Sequence, residues 1–403
     1  MVNDSVRVDL KGRSVLVVCS DWPWPPNYAA RIDAIDRIHV LRDLGLTVDV
    51  LVTAAQHYGV LKMAQMFNEV DTCFAVQRRS GFFDMLGLFE TGQEYSRRSL
   101  ADVNLEKSYD FVILEGHYVS NVLKNPTLKA AHKLLRVNND ERHYFLQLAN
   151  SRWSLSSLYY LLEALRFVRT WPALMRQIPT WMFSSAKEHA KASSFADQIG
   201  AKSIFLPPRV DLSSISISSS TNMQVLFLGT LLMPNNLEAV RWYVEKVHPK
   251  LLDIPGYQFC VAGNNGHSGQ GGKVGELLKG VPSVTLVPSP TNTRSLYEKS
   301  ALFVNPMRNG AGIKLKTVHA LAAGLPVVAT EVGAEGTLMR HGHEIYQTDD
   351  SEQFVAYVRE LLTNPARGNE MVAEAHKLLR EHYQQSEKLG NLLVDLLKQE
   401  GKA

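Results

Sequence analysis

The 403 residues predict two domains, because a single hydrophobic core rarely grows beyond about 300 residues. The net charge of +3 is small and the sequence contains no nucleic-acid-reading motif, which argues against a nucleic-acid partner. The sequence has no apolar run of about 18 residues and no apolar signal core, so we expect neither a membrane-spanning helix nor a secretory signal. The three cysteines, Cys19, Cys73 and Cys260, lie far apart, which favours reduced thiols and a cytoplasmic protein.

The first 53 residues predict a β-α-β unit of a parallel sheet. Residues 14–19 form a continuous apolar run, which is typical of a strand buried on both faces. A helix at about 29–44 and a strand at 47–53 follow. Because no G-x-G-x-x-G fingerprint follows the first strand, the sequence argues against a nicotinamide dehydrogenase.

Residues 54–206 continue the first domain with a weaker pattern. His117 comes just after a predicted strand at 109–114, at the edge where open α/β sheets bind their ligands. We therefore take His117 as a candidate ligand contact, and a surface or capping role is the alternative. The other predicted helices lie at about 60–70, 94–106 and 151–181, and the other predicted strands at 133–137, 181–185 and 202–206.

The 151–181 stretch and the 78–89 loop are both aromatic and basic. Four arginines in the stretch face a single acid, Glu163. Such a helix can lie on an anionic membrane, although a packed core face with a solvated outer face explains the same pattern. Peripheral contact with an anionic membrane, at its inner face, is therefore one expectation.

The second domain follows a polar, nearly patternless stretch at 207–222, which predicts a linker. An apolar strand is predicted at 225–229, with further strands at 257–262 and 283–287. A glycine-rich loop lies at 263–272, and the tail from about 370 to 402 predicts helix.

Residues 301–336 predict a strand, a glycine-bearing loop, a helix at about 314–323 and a second strand. A helix that begins after such a loop offers unpaired backbone N–H groups and the positive end of its dipole, which bind anions. Arg308, Lys314 and Lys316 add cationic side chains at the same place. The sequence therefore predicts a site for a diphosphate.

This stretch resembles the donor-site signature of the group 1 glycosyltransferases of family four, which have the GT-B fold. His319 stands where that family usually has a glutamate, which accepts hydrogen bonds from the donor ribose. The opening β-α-β unit is similar as well, with Asn27 in a loop where the family often has glycines. The matching residues are Pro306, Arg308, Gly310, Gly312, Lys314, Lys316, Ala320, Ala322, Gly324, Pro326, Val327, Val328, Thr330, Gly333, Glu335 and Gly336.

The resemblance implies an α/β protein of the GT-B type, with two doubly wound Rossmann-like domains facing each other across a cleft. It implies an acceptor-side domain at 1–206, a linker at 207–222 and a nucleotide-sugar donor domain at 223–384. The last helix, at about 385–403, is expected to pack back onto the first domain.

The implied activity is transfer of a sugar, of the hexosyltransferase type and with retention, from a nucleotide-diphosphate donor to an acceptor hydroxyl. The acceptor would be a glycan or a lipid-linked saccharide, as in polysaccharide biosynthesis. Negative charge grows on the leaving diphosphate as the glycosidic bond breaks, and nearby cations would stabilise it. The sequence has no D-x-D pair at a strand end and no His/Cys cluster, so we expect no metal and no cofactor, only the nucleotide sugar as co-substrate.

The resemblance assigns roles to individual residues. The expected catalytic residues are His117, Arg308 and Lys316. Asn27, Asn139 and Glu141 are expected on the acceptor side, the last two from a segment similar to the family's R-x-H-N-x-E. The expected donor-binding residues are Gly229, Asn235, Gly310, Gly312, Lys314, His319, Thr330, Gly333 and Glu335.

Two alternatives remain open at this point. A nucleotide-sugar 2-epimerase shares the fold but needs acid and base carboxylates, for which only Glu141 and Glu335 are candidates. A non-catalytic protein of the same fold would bind a sugar nucleotide or a partner enzyme. His319 in place of the glutamate favours this last alternative, whereas the intact Arg308, Lys314 and Lys316 argue against it.

Overall fold

The computed structural model describes residues 4–24, 29–54, 69–79, 90–151, 155–210, 222–266 and 272–400. The chain forms two compact units, of which the first is Met1–Arg209 with Gln384–Ala403 and the second is Val210–Tyr383. Some predicted features lie wholly or mostly outside the described residues, namely Asn27, the helix at 60–70, the loop at 78–89, the linker at 207–222 and half of the 263–272 loop.

In its described part, the first unit contains one parallel sheet with the strand order β3-β2-β1-β4-β5-β6-β7. The strands are β1 (Ser14–Cys19), β2 (Thr47–Ala54), β3 (Thr72–Gln77), β4 (Ser108–Glu115), β5 (Lys129–Val137), β6 (Thr180–Phe183) and β7 (Lys202–Phe205). The helices are α1 (Asp4–Leu10), α2 (Ala29–Asp43), α3 (Gly92–Ser96), α4 (Glu141–Ser151), α5 (Leu155–Gln177) and α6 (Ala186–Ile199). Two 3₁₀ helices, Arg98–Asp102 and His117–Lys124, lie between α3 and β5.

The two faces of this sheet are both apolar, and β1 explains why. Val15, Val17 and Cys19 belong to one hydrophobic core, whereas Leu16 and Val18 belong to another. Because successive side chains of a strand point to opposite faces, the continuous apolar run of β1 supplies both cores at once. This burial fixes β1 in the middle of the sheet.

In its described part, the second unit contains a parallel sheet with the strand order β10-β9-β8-β11-β12-β13. The strands are β8 (Gln224–Leu228), β9 (Gln258–Gly263), β10 (Val284–Pro288), β11 (Leu302–Asn305), β12 (Val327–Ala329) and β13 (Tyr346–Gln347). The helices are α7 (Pro234–Lys246), α8 (Gly272–Leu278), α9 (Arg294–Glu298), α10 (Leu315–Ala322), α11 (Glu331–Ala334), α12 (Ser351–Thr363) and α13 (Pro365–His382). Val225 and Phe227 of β8 face one core and Leu226 faces the other, as in the first unit.

The last helix, α14 (Gln385–Glu400), packs in the core of the first unit. Its buried leucines share that core with α1 and α2, and a Cβ on Gly390 would lie 2.7 Å from a methyl carbon of Val6. The buried leucines are Leu389, Leu392, Leu393 and Leu396.

A buried ionic cluster lies where the chain leaves and re-enters the first unit. Asp33 of α2 accepts hydrogen bonds from Arg37 and Arg136, and Arg37 also pairs with Glu115 at the end of β4. Arg136 donates to the backbone carbonyl of Leu206, just before the crossing to the second unit. Buried charges of this kind are stable only when fully paired, so the cluster fixes α2 against β4 and β5.

The predicted fold class is confirmed, because the chain is α/β with two Rossmann-like parallel-sheet units. Individual elements differ from the sequence predictions. The single helix predicted at 94–106 is the short helix α3 followed by a 3₁₀ turn, since the backbone leaves helical geometry at Arg97. The stretch predicted at 151–181 is mainly α5, and the predicted tail helix is divided between α13 and α14. The edge strand β3 was not predicted.

Candidate active site

The loop after β11 and the first turn of α10 lie where the sequence predicts a diphosphate site. α10 ends at Gly324, whose φ is +84°, and the N–H of Leu325 donates to the carbonyl of Ala320 over 3.0 Å. A glycine in this conformation closes a helix as a Schellman motif. The N–H of Thr317 in the first turn of α10 donates to the carbonyl of Lys314, which leaves the N–H groups of Leu315 and Lys316 at the positive end of the dipole, where an anion is favoured.

Lys316, in the first turn of α10, connects three segments of the site. Its Nζ donates to Oδ1 of Asn236 over 2.6 Å and lies 4.6 Å from the ring centroid of Phe227. Nδ2 of Asn236 donates onward to the backbone carbonyl of Thr230 over 2.9 Å. Because Asn236 begins α7 and Thr230 follows β8, the ammonium group is held at the carboxyl end of β8.

Two glycines, Gly229 and Gly263, line the carboxyl ends of β8 and β9 next to this ammonium group. A Cβ on Gly229 would lie 2.8 Å from Nζ of Lys316 and 3.1 Å from Nδ2 of Asn236. A Cβ on Gly263, at the end of β9, would lie 1.6 Å from the carbonyl oxygen of Gly229. The φ of Gly263 is +144°, which side chains other than glycine rarely adopt. The close approach of β8 and β9 therefore requires glycine at residue 263, whereas a side chain at residue 229 would displace Lys316 and Asn236.

Lys316 is half-buried, and its environment disfavours positive charge. Burial, with a smaller contribution from the positive charge of Lys314, lowers the pKa of Lys316 to about 7. Near neutral pH the side chain is therefore divided between its charged and neutral forms. An anion nearby favours the charged form of an amine, so a bound diphosphate would raise this pKa again.

Lys314 is buried and fastens the loop to Glu335. Its Nζ donates to the carbonyl of Gly312 over 2.7 Å and lies 3.5 Å from Oε2 of Glu335, and its backbone N–H donates to the carbonyl of Glu335. Gly310 has a φ of +134°, and a Cβ there would lie 3.4 Å from Nδ2 of Asn235. The predicted donor residues Gly310, Gly312, Lys314, Glu335 and Asn235 therefore meet around one loop.

Arg308 is placed differently from Lys316. Its side chain is exposed, and its guanidinium carbon lies 6.0 Å from the ring centroid of Trp242 in α7. The neighbouring Asn309 donates to Oε2 of Glu238 over 2.7 Å, so this end of the loop lies against α7.

Thr330 and Gly333 are buried and hold the backbone beneath the loop. Oγ1 of Thr330 donates to the carbonyl of Met307 and accepts a hydrogen bond from the N–H of Gly333 at the start of α11. A Cβ on Gly333 would lie 2.0 Å from the carbonyl oxygen of Asn305, so only glycine fits. Asn305 in turn donates to the carbonyl of Gly333 and to Oγ1 of Thr317 over 2.9 Å each. These contacts position the loop rather than offer side chains to a ligand.

His319 lies one turn after Lys316 on α10 and is half-buried. Burial lowers its pKa, so the imidazole is neutral at pH 7 and has a free nitrogen that can accept a hydrogen bond.

His117 begins a 3₁₀ helix after β4 and is almost completely buried, at 3% exposure. Its Nε2 lies 3.2 Å from Oε1 of Glu94 and 3.2 Å from Oγ1 of Thr170. The imidazole stacks on Trp171 at 5.5 Å and meets Phe167 edge-on at 4.9 Å. Nδ1 has no hydrogen-bond partner in the described part of the chain. The alternative of a surface histidine is therefore wrong.

Glu94 fixes the tautomer of this histidine. Burial raises the pKa of Glu94, but the hydrogen bond and the electrostatic attraction of His117, together with hydrogen bonds from Thr91 and Ser120, outweigh it and lower the pKa to about 2. An ionised carboxylate only accepts hydrogen bonds, so Nε2 of His117 carries the proton that points at Glu94. With Nε2 engaged in this way, Nδ1 is the nitrogen left for a ligand.

Glu141 and Asn139 lie beside His117 at the carboxyl end of β5. Oη of Tyr118 donates to Oε2 of Glu141 over 2.6 Å. Burial raises the pKa of Glu141, although hydrogen bonds from Tyr118 and Asn139 oppose the change. The structure thus brings together the predicted residues His117, Asn139 and Glu141, while Asn27 lies outside the described residues.

The structure adds two residues that sequence reasoning missed. Asn236 holds Lys316. The sequence analysis selected only its neighbour Asn235, and that neighbour was the one sequence feature that pointed to Asn236. Glu94 holds His117, but it lies in a stretch without any clear pattern. No group of three or more His, Cys, Asp or Glu side chains in the described ranges is arranged to hold a metal ion. In the same ranges we find no helix long and apolar enough to cross a membrane.

Comparison with known proteins places the chain in a family. The sequence model described as "Glycosyl transferases group 1" matches residues 222–364. An uncharacterized 44.6 kDa protein in the cps region of Klebsiella pneumoniae is 33% identical over 382 residues, which cover 92% of this chain and 96% of that protein.

Solved structures of very different sequence share the fold. A variant of S. aureus TarM, crystallised with UDP and alpha-GlcNAc-glycerol among its ligands, has a TM-score of 0.67 at 9% identity, with 95% of this chain and 99% of TarM covered. The pneumococcal O-GlcNAc transferase GtfA, crystallised with UDP and GlcNAc, has a TM-score of 0.63 at 13% identity, with 96% of this chain and 99% of GtfA covered. The chain belongs to the group 1 glycosyl transferases and has the GT-B fold.

Proposed function

We propose that this protein transfers a hexosyl group, with retention, from a nucleotide-diphosphate sugar to a hydroxyl of a glycan or a lipid-linked saccharide. The observation that carries the proposal is the placement of Lys316. Its Nζ is fixed by Asn236 at the carboxyl end of β8, in the first turn of α10 and next to the glycine loop. A diphosphate there would meet a cationic side chain and unpaired backbone N–H groups together.

The chemistry requires positive charge at this place. When the bond between the anomeric carbon and the phosphate oxygen breaks, its electron pair stays on the oxygen of the leaving diphosphate. A charged Lys316 stabilises this product-like oxygen more than the ester oxygen of the donor, and such a difference accelerates the reaction. With retention, the acceptor hydroxyl enters on the face that the leaving group vacates, so the leaving oxygen can take the hydroxyl proton.

We assign His117 to the transferred sugar and Asn139 with Glu141 to the acceptor side. Glu94 occupies Nε2 of His117, and the unpaired Nδ1 is the atom that would bind a sugar hydroxyl. An unpartnered buried nitrogen is costly in an empty site, which supports a ligand contact there. Arg308 would have to leave Trp242 to reach a phosphate, so we give it the smaller catalytic role.

The donor we propose is a UDP-sugar, and the reaction we propose needs no metal. TarM and GtfA are both crystallised with UDP, and both share this fold. Lys316 would supply the charge that a divalent cation supplies in other phosphate sites. For a lipid-linked acceptor, we propose that the reaction takes place in the cytoplasm at the inner face of the membrane.

A donor screen tests the proposal. UDP-, GDP- and ADP-sugars are incubated with the protein in the presence of a chelator, and nucleotide release and the identity of the sugar are followed. We expect slow hydrolysis of one UDP-hexose without acceptor. An isomerised sugar would show a 2-epimerase instead, and binding without turnover of any donor would show a non-catalytic protein.

A matched pair of lysine variants makes the screen specific for this site. Lys316→Ala is expected to lower turnover by about a hundred- to a thousand-fold, the usual cost of removing one preorganised charge or hydrogen-bond donor. Lys299→Ala removes an exposed lysine elsewhere in the second unit and is expected to have no effect. Equal activity of the two variants would contradict the assignment of Lys316.

A further inference from the structure

One side of α5 carries exposed aliphatic side chains in a continuous row. Leu158, Leu161, Leu162, Leu165 and Val168, which we call the leucine stripe, are between 36% and 60% exposed. Their spacing places them on one face of the helix, over a length of about 15 Å. Five of the eight large hydrophobic side chains that are exposed in the described part of the chain lie in this stripe, so it is a patch and not a scatter.

The opposite side of α5 is a normal core face. Phe167, Leu174 and Met175 are buried, and Phe167 stacks on Phe145 of α4 at 5.6 Å. Glu163 is fully buried and accepts hydrogen bonds from the N–H of Gly92 and from Arg166. A helix on a protein surface usually turns polar residues outward. Because α5 is apolar on both sides, its outward side is suited to contact with an apolar environment other than the core of this unit.

The charges around the stripe are of one sign. Arg176 is exposed and, by helical spacing, lies on the same side of α5 as Leu158. The adjacent helix α4 adds the exposed Arg142. α4 and α5 contain just two carboxylates, Glu141 and Glu163, and both are hydrogen-bonded inward. In the described part of these helices, no exposed carboxylate balances the cations.

We propose that the leucine stripe docks this protein on the surface of a membrane that contains anionic lipids. Aliphatic side chains can enter the acyl boundary while Arg176, on the same side of α5, meets lipid phosphates. A second copy of the chain that docks through its own α4 and α5 fits this face less well, because these helices would bring the same cations and no exposed carboxylate. A typical protein interface is enriched in aromatic side chains, whereas the stripe is purely aliphatic.

Docking in this way would place the candidate acceptor side close to the lipid. The inner side of α5 contacts His117 through Phe167, Thr170 and Trp171. His117 would therefore lie about one helix diameter, ~10 Å, from the membrane surface. The benefit of this short distance rests on the proposed function, since only a lipid-linked acceptor requires His117 close to the membrane. The docking itself does not depend on the proposed function.

Vesicle co-sedimentation tests the docking without donor or acceptor. The full-length protein is mixed with phosphatidylcholine vesicles, with and without phosphatidylglycerol, at low and high salt. We expect sedimentation with the anionic vesicles at low salt and at least tenfold weaker binding at high salt. The double variant with Leu161→Glu and Leu165→Glu is expected to bind at least tenfold more weakly. Leu252→Glu, at an exposed leucine of the second unit, is the matched control and should bind as the unmodified protein does.

Three results would overturn the proposal. The first is absence of sedimentation with anionic vesicles at low salt. The second is binding by the double variant that equals binding by the unmodified protein. The third is a dimer that the unmodified protein and the Leu252→Glu variant form and the double variant does not. The last result would assign the stripe to a second copy of the chain. Circular dichroism melting of both variants checks that they fold. Donor hydrolysis without vesicles should be unchanged in the double variant, so failure of the docking and failure of the proposed function are separately visible.

Discussion

Nζ of Lys316 and Oδ1 of Asn236 lie 2.6 Å apart, and this hydrogen bond joins the first turn of α10 to the first turn of α7. A Cβ at residue 229 would lie 2.8 Å from the amine and 3.1 Å from Nδ2 of Asn236, so both side chains would have to move. Residues 229, 236 and 316, which come from two distant segments of the sequence, therefore define one place for a positive charge. An amide partner does not neutralise that charge, so it remains available to a ligand anion.

Proton uptake on nucleotide binding is the first prediction. Lys316 has a pKa of about 7 in the free protein, and a bound diphosphate raises that pKa. At pH 6 the amine is already charged, whereas at pH 8 it must take up nearly one proton to bind. We therefore expect UDP affinity to fall as the pH rises above 7. Calorimetry at pH 8 in two buffers of different ionisation enthalpy measures the uptake.

Asn236→Asp provides the control for this proton. A carboxylate 2.6 Å from the amine would raise the pKa of Lys316, so the lysine would be charged before UDP binds. The variant should then bind UDP at pH 8 with little proton uptake. If it takes up as much as the unmodified protein, the proton belongs to another group and Lys316 is not the titrating residue.

The second prediction concerns the buried pair of Glu94 and His117. The pKa of Glu94 is depressed to about 2, so its stabilising effect is present above the unfolded value of 4.5 and is lost as the pH falls toward 2. The shift corresponds to about 3 kcal/mol, since one pKa unit is worth about 1.4 kcal/mol. We expect Glu94→Gln to lower the melting temperature at pH 7 and to flatten its decrease between pH 5 and pH 3. An unchanged acid profile in this variant would show that Glu94 is not ionised.

Activity measurements separate the two members of this pair. His117→Ala should lower turnover and leave UDP affinity nearly intact, because its proposed contact is with the sugar. Glu94→Gln should lower turnover less, since a neutral amide can still accept from Nε2 of His117 but holds it more weakly. Equal loss of UDP affinity in His117→Ala would mean that His117 supports the fold instead.

The third prediction tests the close approach of β8 and β9. Gly263→Ala would place a Cβ 1.6 Å from the carbonyl oxygen of Gly229, at a φ that alanine rarely adopts. We expect the variant to unfold at a lower temperature and to lose UDP binding. Gly280→Ala is the control for an alanine at a positive φ without a clash, since its φ is +75° and no heavy atom lies within 4 Å of its Cβ. Comparable melting temperatures for the two variants would contradict the packing described here.

The apolar runs of β1 and β8 could be recognised from sequence because a strand buried on both faces leaves a continuous signal. Edge strand β3 could not be recognised from sequence. Its residues are only partly buried in an irregular pattern, and it is a strand because it pairs with β2. The glycine loop and Lys316 were predicted from local spacing and resemblance. The partners Asn236 and Glu94 were not, because their roles depend on tertiary contacts that no sequence period encodes.

The fourth prediction concerns His319, which stands where related transferases have a glutamate. Burial lowers its pKa, so its acceptor nitrogen is available at pH 8 and is lost as the pH falls below that lowered value. We expect His319→Ala to weaken UDP binding at pH 8 by about 1 kcal/mol, the usual net value of one hydrogen bond. The difference between this variant and the unmodified protein should be smaller at low pH.

His319→Glu is the informative partner of that variant, because it restores the acceptor that the family uses. A carboxylate at this position would accept hydrogen bonds from the ribose hydroxyls at pH 6 and pH 8 alike, and it lies one turn from the positive charge of Lys316. UDP affinity should therefore be preserved or improved, without the pH dependence contributed by the imidazole. Calorimetry of the unmodified protein and both variants at the two pH values makes the comparison. Loss of binding in His319→Glu together with unchanged binding in His319→Ala would mean that this side of α10 faces away from the nucleotide, and the donor site built on Lys316 and His319 would then be wrong.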